Sequence, residues 1–391
     1  MGGTTAPPAA PGTGLHAVPA PGRALGAALR YAWPALAGYL AVRAVGLVTL
    51  AWWAHVRGVP VVRLLATRSD AAWYLGIARH GYDGGQGQSD LAFFPLYPAL
   101  TAAVARVAGW GSHPQLVVAW TAGLLAAWGL FAVGAAVGGR WAGVALAVLW
   151  GVEPHAVVES MAYTEGLFTA LAAWCLLALL RRRWLAAGLL CLLAGTARPT
   201  ALALVPVVML DAALALRRPG SAGSARWRPA ACLLLAPLGV AGYLAWVAVR
   251  TGRLDGWQHV QRDGWHSTWD WGADAARQAG RILTSASQPL PYVVVTAVVA
   301  VAVLLALLGL ADRQPWQLSG FAVLALALTI GGSGYYHAKA RFLLVAFPLL
   351  LPVARPLART APVKAVATLA LLTATSAYVG GYLLLIWPWS P

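Results

Sequence analysis

Apolar runs of roughly bilayer length succeed one another along almost the whole chain. They lie at residues 33–54, 115–138, 141–157, 165–180, 184–197, 199–215, 230–249, 291–311, 317–331, 341–354 and 363–387. A helix that crosses a bilayer needs about 20 such residues, so the pattern predicts an all-α, polytopic membrane protein with about eleven spans. Charge supports this: only 10% of residues are Asp, Glu, Lys or Arg, against roughly 25% in a soluble domain. A cytosolic enzyme, a secreted disulfide scaffold and a disordered tail protein are thereby excluded. Cys175, Cys191 and Cys232 all fall inside apolar runs and build no disulfide framework. The 20 Trp fit rings at a membrane–water boundary.

The net charge of +16 does not indicate a nucleic-acid partner. The basic residues punctuate apolar segments, as orienting charges do, and no soluble basic domain is present to carry them. Residues 1–22, rich in Ala, Pro and Gly, read as a disordered tail, and residues 23–391 as a single transmembrane domain. Arg140, Arg181–Arg183, Arg217, Arg218, Arg226, Arg228, Arg313, Arg355 and Arg359 fall on one side of the bundle. The positive-inside rule makes that side cytoplasmic, together with the N-terminus. Two long loops, about 55–114 and 251–290, face the other way. Of the twelve acidic residues, only Asp211 and Asp312 lie toward the cytoplasm. The chemistry is therefore expected on the extracytoplasmic face of a plasma-membrane protein.

The first long loop is the most informative. Residues 68–83 read RSDAAWYLGIARHGYD, and residues 92–98 read AFFPLYP. The spacing predicts a helix over 70–80 with Asp70, Trp73, Tyr74 and Ile77 on one face, ended by Gly81. Such an amphipathic helix lies along the membrane surface and holds Asp70 above the headgroups. The apolar stretch to Val107 is short for a span and reads as a second juxtamembrane helix. A carboxylate in this position suits a general base or a metal ligand; an N-terminal helix charge beside interfacial aromatics is the plainer alternative.

These two motifs resemble the signature of PIG-V-type mannosyltransferases, within the GT-C superfamily of polytopic, lipid-donor glycosyltransferases. The resemblance continues in order through YTEGLF at 163–168, TARPT at 196–200 and KARFLLVAFP at 339–348. It implies that Asp70 is the external-loop aspartate that activates the acceptor hydroxyl. The family writes Trp before that Asp, where Ser69 stands here. It also places an acidic residue between Gly-Tyr and Phe-Phe-Pro, a place that either Asp83 or Asp90 can fill. In the superfamily the second external loop often supplies another acid, which makes Glu159 and Glu165, with Tyr163, candidates for the sugar pocket. Trp73, Tyr74 and Tyr82 join them as substrate-binding candidates.

Basic groups at membrane depth are expensive and face a cavity or a partner. Arg198, beside Pro199, and Lys339 with Arg341 are candidates for a lipid phosphate, which a guanidinium binds through a planar fork. Snorkelling to headgroups is the alternative for each. In the second long loop Trp265 is placed to stack on a sugar and Arg262 to meet phosphate; an interfacial aromatic helix explains the same residues. His155 near Glu159 raises a divalent metal as a possible cofactor, although no HxxxH or HExxH pairing supports one. No nucleotide-binding glycine motif and no nucleophile elbow is present. The resulting expectation is an inverting membrane glycosyltransferase passing mannose from a polyprenyl-phosphate to an external lipid-linked or glycan acceptor. A transporter or lipid-carrier flippase is the alternative from a different class, disfavoured by the acids crowding one face and by the absence of an internal repeat.

Overall fold

A computed structural model describes residues 25–84, 88–217 and 226–391. The tail at 1–22, Arg218 and the middle of the 83–90 insert lie outside the described residues. In chain order the helices are α1 (Leu25–Val56), α2 (Val61–Thr67), α3 (Asp70–His80), α4 (Leu96–Ala108), α5 (Pro114–Gly138) and α6 (Arg140–Gly151). They continue with α7 (Glu165–Leu180), α8 (Trp184–Gly195), α9 (Ala201–Arg217), α10 (Trp227–Thr251), α11 (Gly256–His259) and α12 (Ala273–Thr284). The last are α13 (Leu290–Ala311), α14 (Trp316–Gly331), α15 (Lys339–Leu343), α16 (Leu351–Leu357) and α17 (Pro362–Leu385). Among the described residues there is no β-strand beyond one isolated bridge between Trp269 and Gly332. The all-α membrane architecture expected from the sequence is the one found.

Among the described residues five helices, α1, α5, α10, α13 and α17, are long and apolar enough to cross a membrane. A bent pair, Tyr336–Leu343 with Phe347–Leu357 at 75°, makes a sixth if it is one span. The eleven runs of the sequence therefore do not become eleven full-length helices. The run 141–157 shows why: its helix stops at Gly151, and Glu153, Pro154 and His155 lead into a buried 3-10 turn at Ala156–Ser160. Apolar composition states that a segment is out of water, not that it is one helix. Pro199 stands where the 184–197 and 199–215 runs meet and keeps them separate helices, with α8 ending at Gly195 and α9 beginning at Ala201.

Small residues set the closest packing. Gly195 of α8 lies against Gly239 of α10, where a Cβ would meet the Val240 nitrogen at 2.6 Å. Without a hydrophobic driving force between helices in lipid, such close backbone approach supplies the association through van der Waals contact. The first long loop folds as expected: α3 spans Asp70–His80 and is closed by Gly81 at φ 80°, its N–H donating to the Ile77 carbonyl. Tyr74 and Ile77 are buried, and α4 follows as the short second helix.

Candidate functional site

Four elements bring one charged group together. Asp70 is the first residue of α3 and follows Ser69, which holds φ 53° and ψ −123°. A positive φ at a non-glycine residue is strained backbone and persists only where the surroundings over-determine it. Glu165 is the first residue of α7. Arg198 sits in the break that Pro199 makes between α8 and α9. Arg341 lies on the short α15, the first half of the bent pair. None of the four is close to another in sequence.

Their side chains form a chain of ion pairs. Arg341 Nη1 lies 2.9 Å from Asp70 Oδ2, and its Nε lies 3.5 Å from Glu165 Oε1. The same Glu165 oxygen is 2.6 Å from Arg198 Nη1, which also donates to Thr164 Oγ1 at 3.1 Å. Tyr74 OH and Thr164 Oγ1 are 3.3 Å apart. The Arg341 guanidinium covers the Tyr163 ring at 5.1 Å, and the Asp70 N–H donates to Tyr163 OH at 3.3 Å. Burial pushes the Tyr163 and Tyr74 phenols up, with Asp70 adding to the effect, so both remain neutral donors. The Asp70 side chain keeps 24% of its exposure while Arg341 keeps 7% and Glu165 2%. The base candidate is thus reachable and its cationic partners are walled in.

Aromatic packing on α3 orients this group. Trp73 stacks on Phe93 at 5.7 Å and meets Trp265 edge-on at 5.4 Å. Trp265 Nε1 donates to the Ser89 carbonyl at 3.1 Å, which ties the second long loop to the first. Tyr82 OH and Tyr243 OH both donate to the Phe93 carbonyl, at 2.8 and 2.6 Å. The Leu96 N–H donates to the Thr196 carbonyl at 2.9 Å, tying the AFFPLYP segment to the break that carries Arg198. Beside α3, Trp73, Ile77, His80, Asp83 and Asp90 line a cleft of about 320 Å³.

Several expected residues are placed elsewhere. Asp90 is buried and its two carboxylate oxygens accept from the N–H groups of Asp83 and Gly84, at 2.8 and 3.0 Å; its carboxylate closes the loop. Glu159 lies apart from Asp70, with Arg43 of α1 at 3.9 Å. Lys339 points away from Arg341, donating through Nζ to the Thr329 and Gly332 carbonyls at 2.7 and 2.6 Å. Its ammonium satisfies the carbonyls at the end of α14. Arg262 is half-exposed and pairs with its neighbour Asp263 at 2.9 Å. Among the described residues no three His, Cys, Asp or Glu side chains converge as metal ligands.

Two features were missed by the sequence reading. Ser390 reaches the site after α17, its Oγ accepting from Arg341 Nη1 at 3.1 Å and lying 3.3 Å from Tyr163 OH. Nothing in its local sequence marks it. The second is an apolar groove of about 390 Å³ between α8 and α10, lined by Leu192, Thr196, Leu238, Gly239, Gly242, Tyr243 and Trp246 with Tyr82 and Pro95. A Cβ on Gly242 would meet nothing within 4 Å, so the glycine leaves the groove open.

No family model matches the chain, and no curated protein matches it. Among solved structures, ArnT from Cupriavidus metallidurans bound to undecaprenyl phosphate is similar, at 17% identity and a TM-score of 0.50. The match covers 86% of this chain and 63% of that one. The apo form of the same protein matches at 15% identity and a TM-score of 0.47, over 77% of this chain and 57% of that one. This chain therefore shares a fold with ArnT while spanning less than two thirds of its length. Five helices of membrane-crossing length and that shared fold make it an integral membrane protein.

Proposed function

We propose that this protein is a membrane glycosyltransferase that moves a sugar from a polyprenyl-phosphate donor to an extracytoplasmic acceptor, with inversion. The observation that carries the reading is the Asp70–Arg341–Glu165–Arg198 chain, a reachable carboxylate joined to two buried guanidiniums. The groove between α8 and α10 suits the donor's prenyl tail, and Thr196 in its wall is two residues from Arg198. ArnT, whose fold this chain shares, binds undecaprenyl phosphate.

In this reading Asp70 takes the proton of the acceptor hydroxyl as its oxygen attacks the anomeric carbon of the sugar. The bond from that carbon to the phosphate oxygen breaks, and the electron pair leaves with the polyprenyl phosphate. Arg341 and Arg198 stabilise the charge that develops there, in a site from which water is largely excluded. The leaving phosphate is an anion of low basicity and needs no general acid. Glu165 keeps the two guanidiniums side by side, where they would otherwise repel. Trp73 and Trp265, with the cleft beside α3, form the acceptor side, and mannose is the sugar that the resemblance to PIG-V-type enzymes implies. The site faces the extracytoplasmic side, the N-terminus is cytoplasmic, and residues 23–391 work as one unit.

Sugar transfer from radiolabelled polyprenyl-phosphate mannose to membrane lipids, by wild-type and Asp70→Asn protein in nanodiscs with and without chelator, tests the reading. Transfer by the wild type that is lost in a folded Asp70→Asn protein supports it. Equal transfer by both removes Asp70 as the base. Lipid-carrier movement without transfer, in both proteins, replaces the enzyme with a flippase.

A further inference from the structure

Residues 387–390 do not leave the bundle after α17. The Ile386 and Trp387 N–H groups both donate to the Tyr382 carbonyl, at 2.9 and 3.0 Å, and turn the chain inward. Arg68, two residues before Asp70, donates through Nη2 to the Trp387 carbonyl at 2.5 Å. The Trp387 ring is buried and meets Tyr292 and His337 edge-on, at 5.6 and 5.9 Å. Ser390 then sets its hydroxyl on Arg341 Nη1 and beside Tyr163 OH, at 3.1 and 3.3 Å.

We infer that this segment is a strap seated on Arg341, and that the phosphate of a polyprenyl-phosphate displaces it. The inference rests on the donor reading of the site given above. Two physical arguments favour displacement. Ser390 offers the guanidinium one neutral oxygen, whereas a phosphate offers charged oxygens in a geometry that matches the planar fork. The seat is also incomplete, because the Trp387 indole N–H is buried with no hydrogen-bond partner, which weakens the docked state. The strap gates the cation and leaves the base accessible: Asp70 is three times as exposed as Arg341, at 24% against 7%. An acceptor can therefore approach Asp70 while the strap is seated. Arg341 becomes available to the leaving group only when a donor has lifted Ser390.

The test uses full-length protein in nanodiscs and undecaprenyl phosphate as the probe. A Ser390→Cys protein is labelled with a membrane-impermeant maleimide; Cys175, Cys191 and Cys232 are fully buried and give little background. Labelling is expected to be slow without lipid and about tenfold or more faster at saturation, and unchanged by inorganic phosphate. In parallel, Ser390→Ala and Trp387→Ala should bind the lipid roughly 3- to 10-fold more tightly than wild type, because apparent affinity scales with the fraction of open protein. The Ser390→Ala protein keeps the aromatic seat and serves if Trp387→Ala does not fold. Equal affinity in the three proteins, with labelling indifferent to lipid, overturns the strap and leaves the donor reading standing. Opening by inorganic phosphate alone overturns the lipid as displacer. Absence of lipid binding by all the proteins overturns the donor reading and the displacement with it.

Discussion

Glu159, in the loop between α6 and α7, and Glu165, which opens α7, are six residues apart and each lies beside an arginine, yet the structure treats them in opposite ways. Glu165 is shared by Arg198 and Arg341 at 2.6 and 3.5 Å and is linked through Arg341 to the partly exposed Asp70. Glu159 faces Arg43 at 3.9 Å and has the Tyr39 hydroxyl as its other polar neighbour. Arg43 spends its other donors on the Ser160 hydroxyl and the Gly151 carbonyl, at 2.7 and 3.3 Å. Burial pushes the Glu159 carboxyl up to about 8, with Arg43 opposing the shift incompletely. Glu165 is therefore held between two cations, whereas Glu159 carries a proton near neutral pH. A buried carboxylate is a functional anion only where enough donors converge on it to offset its desolvation.

The largest expected effect is on chemistry. Asp70→Asn should lower sugar transfer by roughly 10²- to 10⁴-fold, the range for loss of a positioned base, while the thermal transition in detergent stays near that of wild type. Glu165→Gln should destabilise by about 3–5 kcal/mol, because it leaves two buried guanidiniums facing each other without their shared partner. Glu159→Gln should cost less than about 1 kcal/mol below about pH 4, where a neutral amide replaces a protonated carboxyl, and should be no less stable than wild type at neutral pH, where only the wild type must hold a proton to fold. Equal losses in the two glutamine variants, read by thermal unfolding, would break the comparison.

The pH dependence sharpens it. The folded protein holds the Glu159 proton up to about pH 8, whereas the unfolded chain releases it near the ordinary glutamate value of about 4.3. Between those limits the folded state binds more protons, so this group's contribution to stability falls as pH rises and is lost above the folded value. Wild-type protein should lose stability from about pH 5 to pH 8, and Glu159→Gln should flatten that slope. An unchanged slope would assign it to another group.

Lys339→Met separates a structural cation from the site's cations. It should lower stability by about 2 kcal/mol, through the two backbone carbonyls left without a donor, and leave donor affinity unaltered. A selective loss of undecaprenyl-phosphate binding would return Lys339 to the phosphate site. The smallest effect is expected from Gly242→Leu, which adds a side chain to the open groove. Donor affinity should fall a few-fold with stability unchanged, as measured by lipid titration.

Much of this was legible in the residues alone. A chain with so few charges and so many apolar runs had no way to cover a soluble surface, which settled the membrane class and the helical architecture. Local patterning was equally sufficient for α3, because the i, i+3, i+4, i+7 face and the closing glycine depend only on near neighbours. Arg198 and Arg341 were singled out as charges in an apolar chain, Asp70, Tyr74, Tyr163 and Glu165 by helix spacing and by the motif resemblance, and the six are found together. Their pairing was decided by the fold, since ion pairs between residues 70 and 341, or 165 and 198, depend on how broken helices pack. The same packing sent Lys339 to the end of α14, gave Glu159 to Arg43 and brought Ser390 onto Arg341. An isolated Lys, Glu or Ser carries no local record of its partner, because hydrogen-bond and ion-pair distances are set by the tertiary arrangement of elements far apart in sequence.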